Sequence, residues 1–233
     1  MSAVDESILG VPAGPDVVEE TRESPRPWYG APFAAATGWS ASTWVLLTVA
    51  GAGLAVFGFT ILSVAEQNLG HGTLLAWAAV LAVLPALTAI DFATRILPTR
   101  IMMPAGAVAL SGLVWDWFAG DLSTASLLCG LGTASAMYVG FAAVYIFAPA
   151  GAFGFGDVRL FTLTGLVVGA YSIELALNAL IIVPSLVGFV TVLTVVTLTR
   201  NDRFPLPFGP FILAGFLLAA LAPEAVTDLL KPR

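Results

Sequence analysis

Residues 72–90 read GTLLAWAAVLAVLPALTAI, a continuous stretch without a charged side chain. A helix needs about 20 mostly apolar residues to cross the hydrocarbon core of a bilayer. This stretch has that length, and the first charge after it is Asp91. The sequence therefore predicts a membrane-spanning helix that is followed at once by a carboxylate.

Apolar stretches of similar length occur on both sides of this one. They cover 43–65, 101–118, 123–148, 158–173, 175–199 and 206–222. Because the stretch 158–173 is short and the last is rich in proline and glycine, seven spans are predicted, with six as the alternative. Pro85 and Pro184 fall inside spans and are expected to kink them, which membrane helices tolerate. The predicted fold is an all-α integral membrane protein, a polytopic bundle of about seven transmembrane helices.

The composition supports a membrane protein and excludes other classes. Of the 233 residues, 58% are hydrophobic and 10% are charged, whereas about a quarter of a soluble domain is charged. No basic stripe is present, so the predicted partner is the lipid bilayer and not nucleic acid. The single cysteine, Cys129, excludes an internal disulfide and a four-cysteine zinc site; it is expected to be a small packing residue in a helix. No metal or cofactor is predicted.

Residues 1–38 differ from the rest of the chain. They are rich in acidic residues, proline and glycine and have no sustained apolar period, which predicts a flexible tail before a membrane domain over 39–233. The tail has no basic segment followed by a hydrophobic core, so it is not expected to be a cleaved signal peptide.

The basic residues predict the orientation of the spans. With a cytoplasmic tail, seven crossings place every arginine and lysine except Lys231 and Arg233 on the cytoplasmic side. Residues expected on the external side are Glu66, His71, Asp116, Asp121 and Glu174, with Trp115 and Trp117 in an aromatic belt. Of these, His71 is expected to be a solvated, inert loop residue, and both aspartates to be loop residues. Asp91 and Asp157 are predicted to lie together at the cytoplasmic face.

Residues 151–160, GAFGFGDVRL, allow two interpretations. Gly154 and Gly156 permit close backbone approach, so an extended substrate has room to lie within reach of Asp157. Alternatively, Asp157 caps the N-terminus of the following helix.

Two further stretches also remain open. In DFATRILPTR, residues 91–100, a carboxylate at the end of an apolar span is costly unless it meets water, a partner or a functional role. The alternative interpretation is that Asp91 forms an ion pair with Arg95, one helical turn away. Proline is expected to end this segment at Pro98. In PLPFGPFILAG, residues 205–215, a regular helix is not expected. The break either borders a cavity or is an ordinary stop and restart of helices.

Together, these three stretches resemble the prepilin peptidase family, the type IV prepilin leader peptidases among the G-x-G-D aspartyl proteases. The matching elements are Asp91 with Pro98 seven residues later, the run Gly154–Leu160, and Pro207–Phe211. The resemblance covers roughly residues 72–222.

The chain departs from the family pattern in three places. Leu97-Pro98 is followed by Thr99 where the family usually has Ile-Pro and then Asn or Asp, and Arg159 stands where it usually has lysine. Arginine keeps the charge but cannot act as a tunable base. Paired CxxC motifs are also absent from the sequence. The resemblance therefore implies a peptidase-only member without methyl transfer, such as those that serve Flp-type pili.

The resemblance implies Asp91 and Asp157 as a catalytic pair that acts without a metal or cofactor. One carboxylate would activate water while the other, protonated, polarises the scissile carbonyl. The implied substrate is a type IV prepilin-like protein, whose short basic leader is cut at the cytoplasmic face of the cell membrane. The residues expected to bind it are Gly154, Phe155, Gly156, Arg159, Pro98, Pro207 and Gly209.

Two alternative functions share the paired carboxylates. A proton or cation transporter would need acids nearer the midplane and polar helix faces, but three spans offer only serines, threonines and Asn178. A signal-peptide-peptidase-like intramembrane protease shares the G-x-G-D motif but typically has tyrosine before the first aspartate, where this chain has Ile90.

Overall fold

The computed structural model describes residues 39–65, 69–94, 97–147, 154–199 and 209–228, and within these ranges the regular structure is helical. The helices are α1 (Ala41–Ala65), α2 (His71–Thr94), α3 (Thr99–Ala119), α4 (Thr124–Phe147), α5 (Phe155–Tyr171), α6 (Ile173–Leu177), α7 (Val183–Thr199), α8 (Gly209–Leu221) and α9 (Pro223–Thr227). A π-helical turn, Asn178–Ile182, joins α6 to α7. The predicted tail, 1–38, lies outside the described residues.

The predicted spans correspond to these helices one by one. α1 to α4 match the first four, α5 matches 158–173, the continuous run from α6 through α7 matches 175–199, and α8 matches 206–222. α1 to α4 are each long and apolar enough to cross a membrane. The fold is therefore that of a polytopic helical membrane protein.

Proline affects the two helices that contain it differently. The π-helical turn lies directly before Pro184, and a proline in a helix removes one backbone donor and disturbs the preceding turn. Pro85, in contrast, lies within α2, which continues on both sides of it.

α5 is the central helix of the bundle. Twelve of its seventeen residues are buried, and it packs along α4 while also contacting α2, α3 and α8. α8 packs against α2, where the rings of Trp77 and Phe216 lie 4.8 Å apart between centroids. The outer helix faces expose large apolar side chains such as Val45, Leu46 and Phe118, as expected where lipid is the solvent.

Asp116 is not the loop residue that the sequence predicts. It lies in α3, is 1% exposed, and accepts hydrogen bonds from the backbone N–H groups of Gly72 (2.8 Å) and Thr73 (2.6 Å). The first N–H groups of a helix have no intrahelical acceptor, and a carboxylate also suits the positive end of the helix dipole. Asp116 therefore caps the N-terminus of α2 from a different helix.

Two smaller predictions also need correction. Cys129 lies in a helix, α4, but its side chain is exposed, so it is not a packing residue of the core. His71 is exposed as predicted, although it is the first residue of α2 and not part of a loop.

Candidate active site

Four helix ends meet on one side of the bundle. They are the C-terminal end of α2, the N-terminal ends of α3 and α5, and the N-terminal end of α8. Leu97 and Pro98 are buried and non-helical, and α3 begins directly after them at Thr99. This is the predicted interruption at Pro98, and it places the start of α3 beside the candidate carboxylates.

Asp91 lies in the last turns of α2 and is 4% exposed. Its Oδ2 accepts a hydrogen bond of 3.1 Å from the backbone N–H of Gly209, 118 positions away. A Cβ atom at position 209 would lie 2.6 Å from that Oδ2. The absence of a side chain at Gly209 is therefore a condition of this close approach.

The helix at this contact is more regular than predicted. α8 begins at Gly209 itself, so the predicted irregularity does not extend through 209–215. Pro210 lies in the first turn, where a helix does not use the N–H that proline lacks. The N–H of Gly209 is likewise not used within α8, which leaves it available to Asp91.

Asp157 is the third residue of α5 and is 9% exposed. Its Oδ2 accepts a hydrogen bond of 3.2 Å from the backbone N–H of Gly154, which precedes the helix. The interpretation of Asp157 as a helix cap is therefore confirmed. A cap of this kind fixes the carboxylate at the start of the central helix.

The two carboxylates influence each other electrostatically. Asp157 precedes the predicted span 158–173 and lies outside the four long apolar helices. Burial raises the pKa of Asp157 and the Asp91 carboxylate raises it further, to about 7, against the opposing hydrogen bond from Gly154. Two buried carboxylates that repel each other are less costly when one is protonated and the other ionised than when both are ionised.

Gly156 brings the start of α5 against the connection between α2 and α3. A Cβ atom at position 156 would lie 2.8 Å from Leu97 Cβ and 3.2 Å from Leu97 N. Leu97 belongs to the stretch 91–100 and Gly156 to the stretch 151–160, so two of the three stretches that carry the resemblance are in direct contact here.

Arg159 is held by neighbours on two helices. Its Nη1 donates to Thr99 Oγ1 at the start of α3, and its guanidinium carbon lies 4.7 Å from the centroid of the Phe155 ring. The Phe155 ring in turn packs against Tyr145 of α4, with centroids 5.4 Å apart. Thr99 and Arg159, two of the positions at which the chain departs from the resembled pattern, are thus hydrogen-bonded partners.

Sequence reasoning missed two of these participants. Thr99 and Tyr145 were not predicted as site residues, and no local pattern marks Tyr145. The signal for Thr99 was available, because it and Arg159 both replace residues of the resembled motifs. Pro207 and Arg95 lie outside the described residues, and with them the alternative pairing of Asp91 with Arg95.

Away from the two carboxylates, the described residues offer no metal-ligand cluster, and the buried Asn178 has a structural role. Among them, no set of three or more histidine, cysteine, aspartate or glutamate side chains is placed to hold a metal ion. Asn178, buried in the π-helical turn, donates from Nδ2 to the backbone carbonyls of Val226 (2.9 Å) and Thr227 (3.2 Å). It therefore ties α9 to the bundle.

The fold and these contacts define a polytopic helical membrane protein with two buried carboxylates at helix ends on one side of its bundle. The chain is similar to the prepilin leader peptidase/N-methyltransferase of Bacillus subtilis (strain 168), with 31% identity over 150 residues. The aligned region covers 63% of this chain and 54% of the relative, so the chain spans about half the length of the curated relative it matches. No family model and no solved structure matches the chain. The name of this relative agrees with the family that the three sequence stretches resemble.

Proposed function

We propose that this protein is a membrane-embedded aspartyl endopeptidase that removes the leader of a type IV prepilin-like protein. The observation that carries the proposal is the position of two buried carboxylates, Asp91 and Asp157, at helix ends that meet on one side of the bundle, each held by the backbone N–H of a glycine. The similarity to a prepilin leader peptidase/N-methyltransferase supports the same reaction class.

In the proposed mechanism, the two carboxylates share one proton over a bound water molecule. Asp157 is the protonated member, because burial and its neighbour both disfavour its ionised form. Asp91 is the base, and its ionised form is stabilised by the N–H of Gly209. Asp91 takes a proton from the water as its oxygen attacks the scissile carbonyl carbon, and Asp157 donates its proton to the carbonyl oxygen. When the intermediate collapses, the C–N bond breaks, Asp91 gives its proton to the leaving amine, and Asp157 takes back a proton from one hydroxyl of the intermediate, so the pair again holds one proton.

The proposed substrate-binding residues near the carboxylates are Gly154, Phe155, Gly156, Pro98 and Gly209. Gly156 and Gly209 already pack against Leu97 and Asp91, so the exposed Gly154 is the glycine at which we propose that an extended peptide approaches. Pro207 is part of the proposal on sequence grounds alone. Arg159 contributes its charge, but its contacts with Thr99 and Phe155 favour a positioning role over direct contact with the substrate.

The proposed membrane face follows from the charge distribution. The excess of arginine on one side of the predicted topology indicates that Asp91 and Asp157 face the cytoplasm. The basic leader of a prepilin would then reach the site from the cytoplasm while its apolar helix stays in the cell membrane.

Co-expression with pilin-like proteins from the same genome tests this function. Asp91→Asn and Asp157→Asn are expected to abolish leader removal, scored by the size of the pilin, while the variants accumulate in the membrane. Asp121→Asn, at an exposed position, is the matched control and is expected to process normally. Normal processing by either of the first two variants would overturn the catalytic assignment.

A further inference from the structure

The hydroxyl of Thr99 holds a side chain of another helix. Thr99 is the first residue of α3, directly after the N-cap residue Pro98. Its Oγ1 accepts a hydrogen bond from Nη1 of Arg159 in α5, 60 positions away in the chain, and both side chains are partly buried. A hydrogen bond with an ionised donor is stronger than one between neutral groups. This contact therefore fixes the start of α5 to the start of α3.

The Arg159 guanidinium also connects α5 to α4. Its central carbon lies 4.7 Å from the centroid of the Phe155 ring, in the first turn of the same helix. That ring packs against Tyr145, with centroids 5.4 Å apart, and meets Tyr138 edge-on, with centroids 6.4 Å apart; both tyrosines belong to α4. A planar guanidinium can stack on a ring and donate hydrogen bonds at the same time. Contacts from α3 and α4 therefore converge on the first turns of α5.

Asp157 lies between these two residues of α5. It is two positions after Phe155 and two before Arg159, and helix positions two apart do not face each other. The carboxylate therefore points to a different side of α5 from the contact between Arg159 and Thr99. That contact can act on Asp157 only through the helix backbone that carries both side chains.

A second contact attaches the start of α5 at nearly the same place. A Cβ atom at position 156 would lie 2.8 Å from Leu97 Cβ, so the Gly156 backbone packs closely against that residue. Leu97 is two residues before Thr99, in the short connection between α2 and α3. Asp91, in the last turns of α2, lies on the other side of this connection. The turn that carries Asp157 is therefore attached at two points to the chain that links α3 to Asp91.

We propose that Thr99 is a positioning residue for the peptidase reaction. By holding the Arg159 guanidinium, it fixes the first turn of α5, and with it the Asp157 carboxylate, relative to Asp91 at the end of α2. The inference rests on the proposed function and adds a residue that acts from outside the carboxylate pair. A misplacement of about 1 Å between reacting groups can lower a rate about 10²-fold, so such a contact can limit kcat.

Cleavage of a full prepilin by purified full-length variants in detergent tests this role. Thr99→Val replaces the hydroxyl by a methyl group and is expected to lower kcat about tenfold with KM unchanged. Thr99→Ser keeps the hydroxyl and is expected to keep the wild-type kcat. Thr162→Val is the matched control on α5, because the Thr162 hydroxyl donates within its own helix to the carbonyl of Val158 (2.8 Å); its kcat should not change. A wild-type kcat in Thr99→Val would overturn the proposal.

A variant of the partner residue separates positioning from substrate contact. Arg159→Gln removes the charged donor and is expected to lower kcat about as much as Thr99→Val, again with KM unchanged. It gives this result even if Thr99→Val does not accumulate in the membrane. A raised KM with unchanged kcat in Arg159→Gln would assign the guanidinium to direct substrate contact and overturn the proposal.

A double-mutant cycle on kcat tests whether Thr99 acts through Arg159. In the Arg159→Gln background the contact is already absent, so adding Thr99→Val is expected to cause no further loss of kcat. Losses of kcat that multiply in the double variant would show that the two residues act separately, and the proposal would fail.

A destabilised variant distinguishes positioning from a general loss of stability. Asp116→Ala removes the cap of α2 near the opposite end of α3 from Thr99, and it is expected to lower Tm without lowering kcat of the folded protein. If kcat falls in Asp116→Ala as far as in Thr99→Val at the same loss of Tm, kcat follows stability and Thr99 has no positioning role.

The same measurements separate this inference from the proposed function. If the wild-type protein cleaves the prepilin, the two aspartate-to-asparagine variants do not, and Thr99→Val matches the wild type, the inference fails and the peptidase function stands. Absence of cleavage by the wild-type protein would instead overturn the proposed function.

Discussion

At the scale of single residues, both candidate carboxylates are oriented by backbone N–H groups of glycine. Asp91 accepts from Gly209 and Asp157 accepts from Gly154. Fixing an acid in this way reduces the reorganisation that a reaction would otherwise require. Gly209 is the more constrained of the two glycines, because its backbone lies directly against the Asp91 carboxylate.

Gly209→Ala is therefore expected to impair leader cleavage. The new Cβ would lie 2.6 Å from Asp91 Oδ2, so the carboxylate or the start of α8 must move, and we expect a loss of about tenfold or more in kcat/KM. Cleavage of a prepilin by purified variants in detergent measures the effect. Gly53→Ala is the control, since its Cβ would meet no atom within 4 Å. Equal rates for Gly209→Ala and wild type would contradict the assignment of Gly209.

At the scale of helices, the termini hold the site together. The start of α5 is joined to the start of α3 by the hydrogen bond from Arg159 to Thr99, across 60 positions. At the other end of α3, Asp116 caps α2. α3 therefore connects to neighbouring helices through a polar contact near each of its ends.

The Arg159–Thr99 contact predicts energetic coupling between the two positions. Thr99→Val and Arg159→Gln are each expected to reduce stability, and the double variant to be about 1 kcal/mol more stable than the sum of the two losses predicts. Unfolding in detergent measures all three variants. Thr48→Val is the control, because the Thr48 hydroxyl bonds within its own helix, to the carbonyl of Trp44. Strict additivity of the two losses would show that the contact carries no stability.

Asp116→Ala separates stability from catalysis. It removes the acceptor for the N–H groups of Gly72 and Thr73, and loss of a helix cap typically costs about 1–2 kcal/mol. We expect a lower Tm with little change in kcat of the folded protein, because Asp116 lies near the opposite end of α3 from Thr99. Asp121→Ala, at an exposed position, should leave Tm unchanged. A loss of kcat without a change in Tm would contradict a capping role.

At the scale of the whole molecule, the helices could be predicted from the sequence more completely than their contacts. A span is a local property of composition, so the predicted spans and the observed helices agree closely. Asp116 was misassigned because its two partners lie 44 and 43 positions away. The contact of Gly209 with Asp91 likewise exists only once the helices pack. The resemblance singled out Asp91, Asp157 and Gly209, but not the contacts between them.

The predicted orientation in the membrane can be measured by cysteine labelling. In a Cys129→Ser background, Asp121→Cys is expected to react with an impermeant maleimide added outside intact cells, and Arg100→Cys only after permeabilisation. Both positions are exposed, and the prediction follows from the excess of arginine on one side of the spans. The reverse labelling pattern would invert the proposed topology and move the carboxylates away from the cytoplasm.

The most direct test of the central claim is a double-mutant cycle on leader cleavage by purified protein. If Asp91 and Asp157 act as one unit, Asp91→Asn and Asp157→Asn each lower kcat by about 10²- to 10⁴-fold, and the double variant is no slower than the slower single variant. Cleavage at the wild-type rate by either single variant, or losses that multiply in the double variant, would contradict the shared role of the two carboxylates.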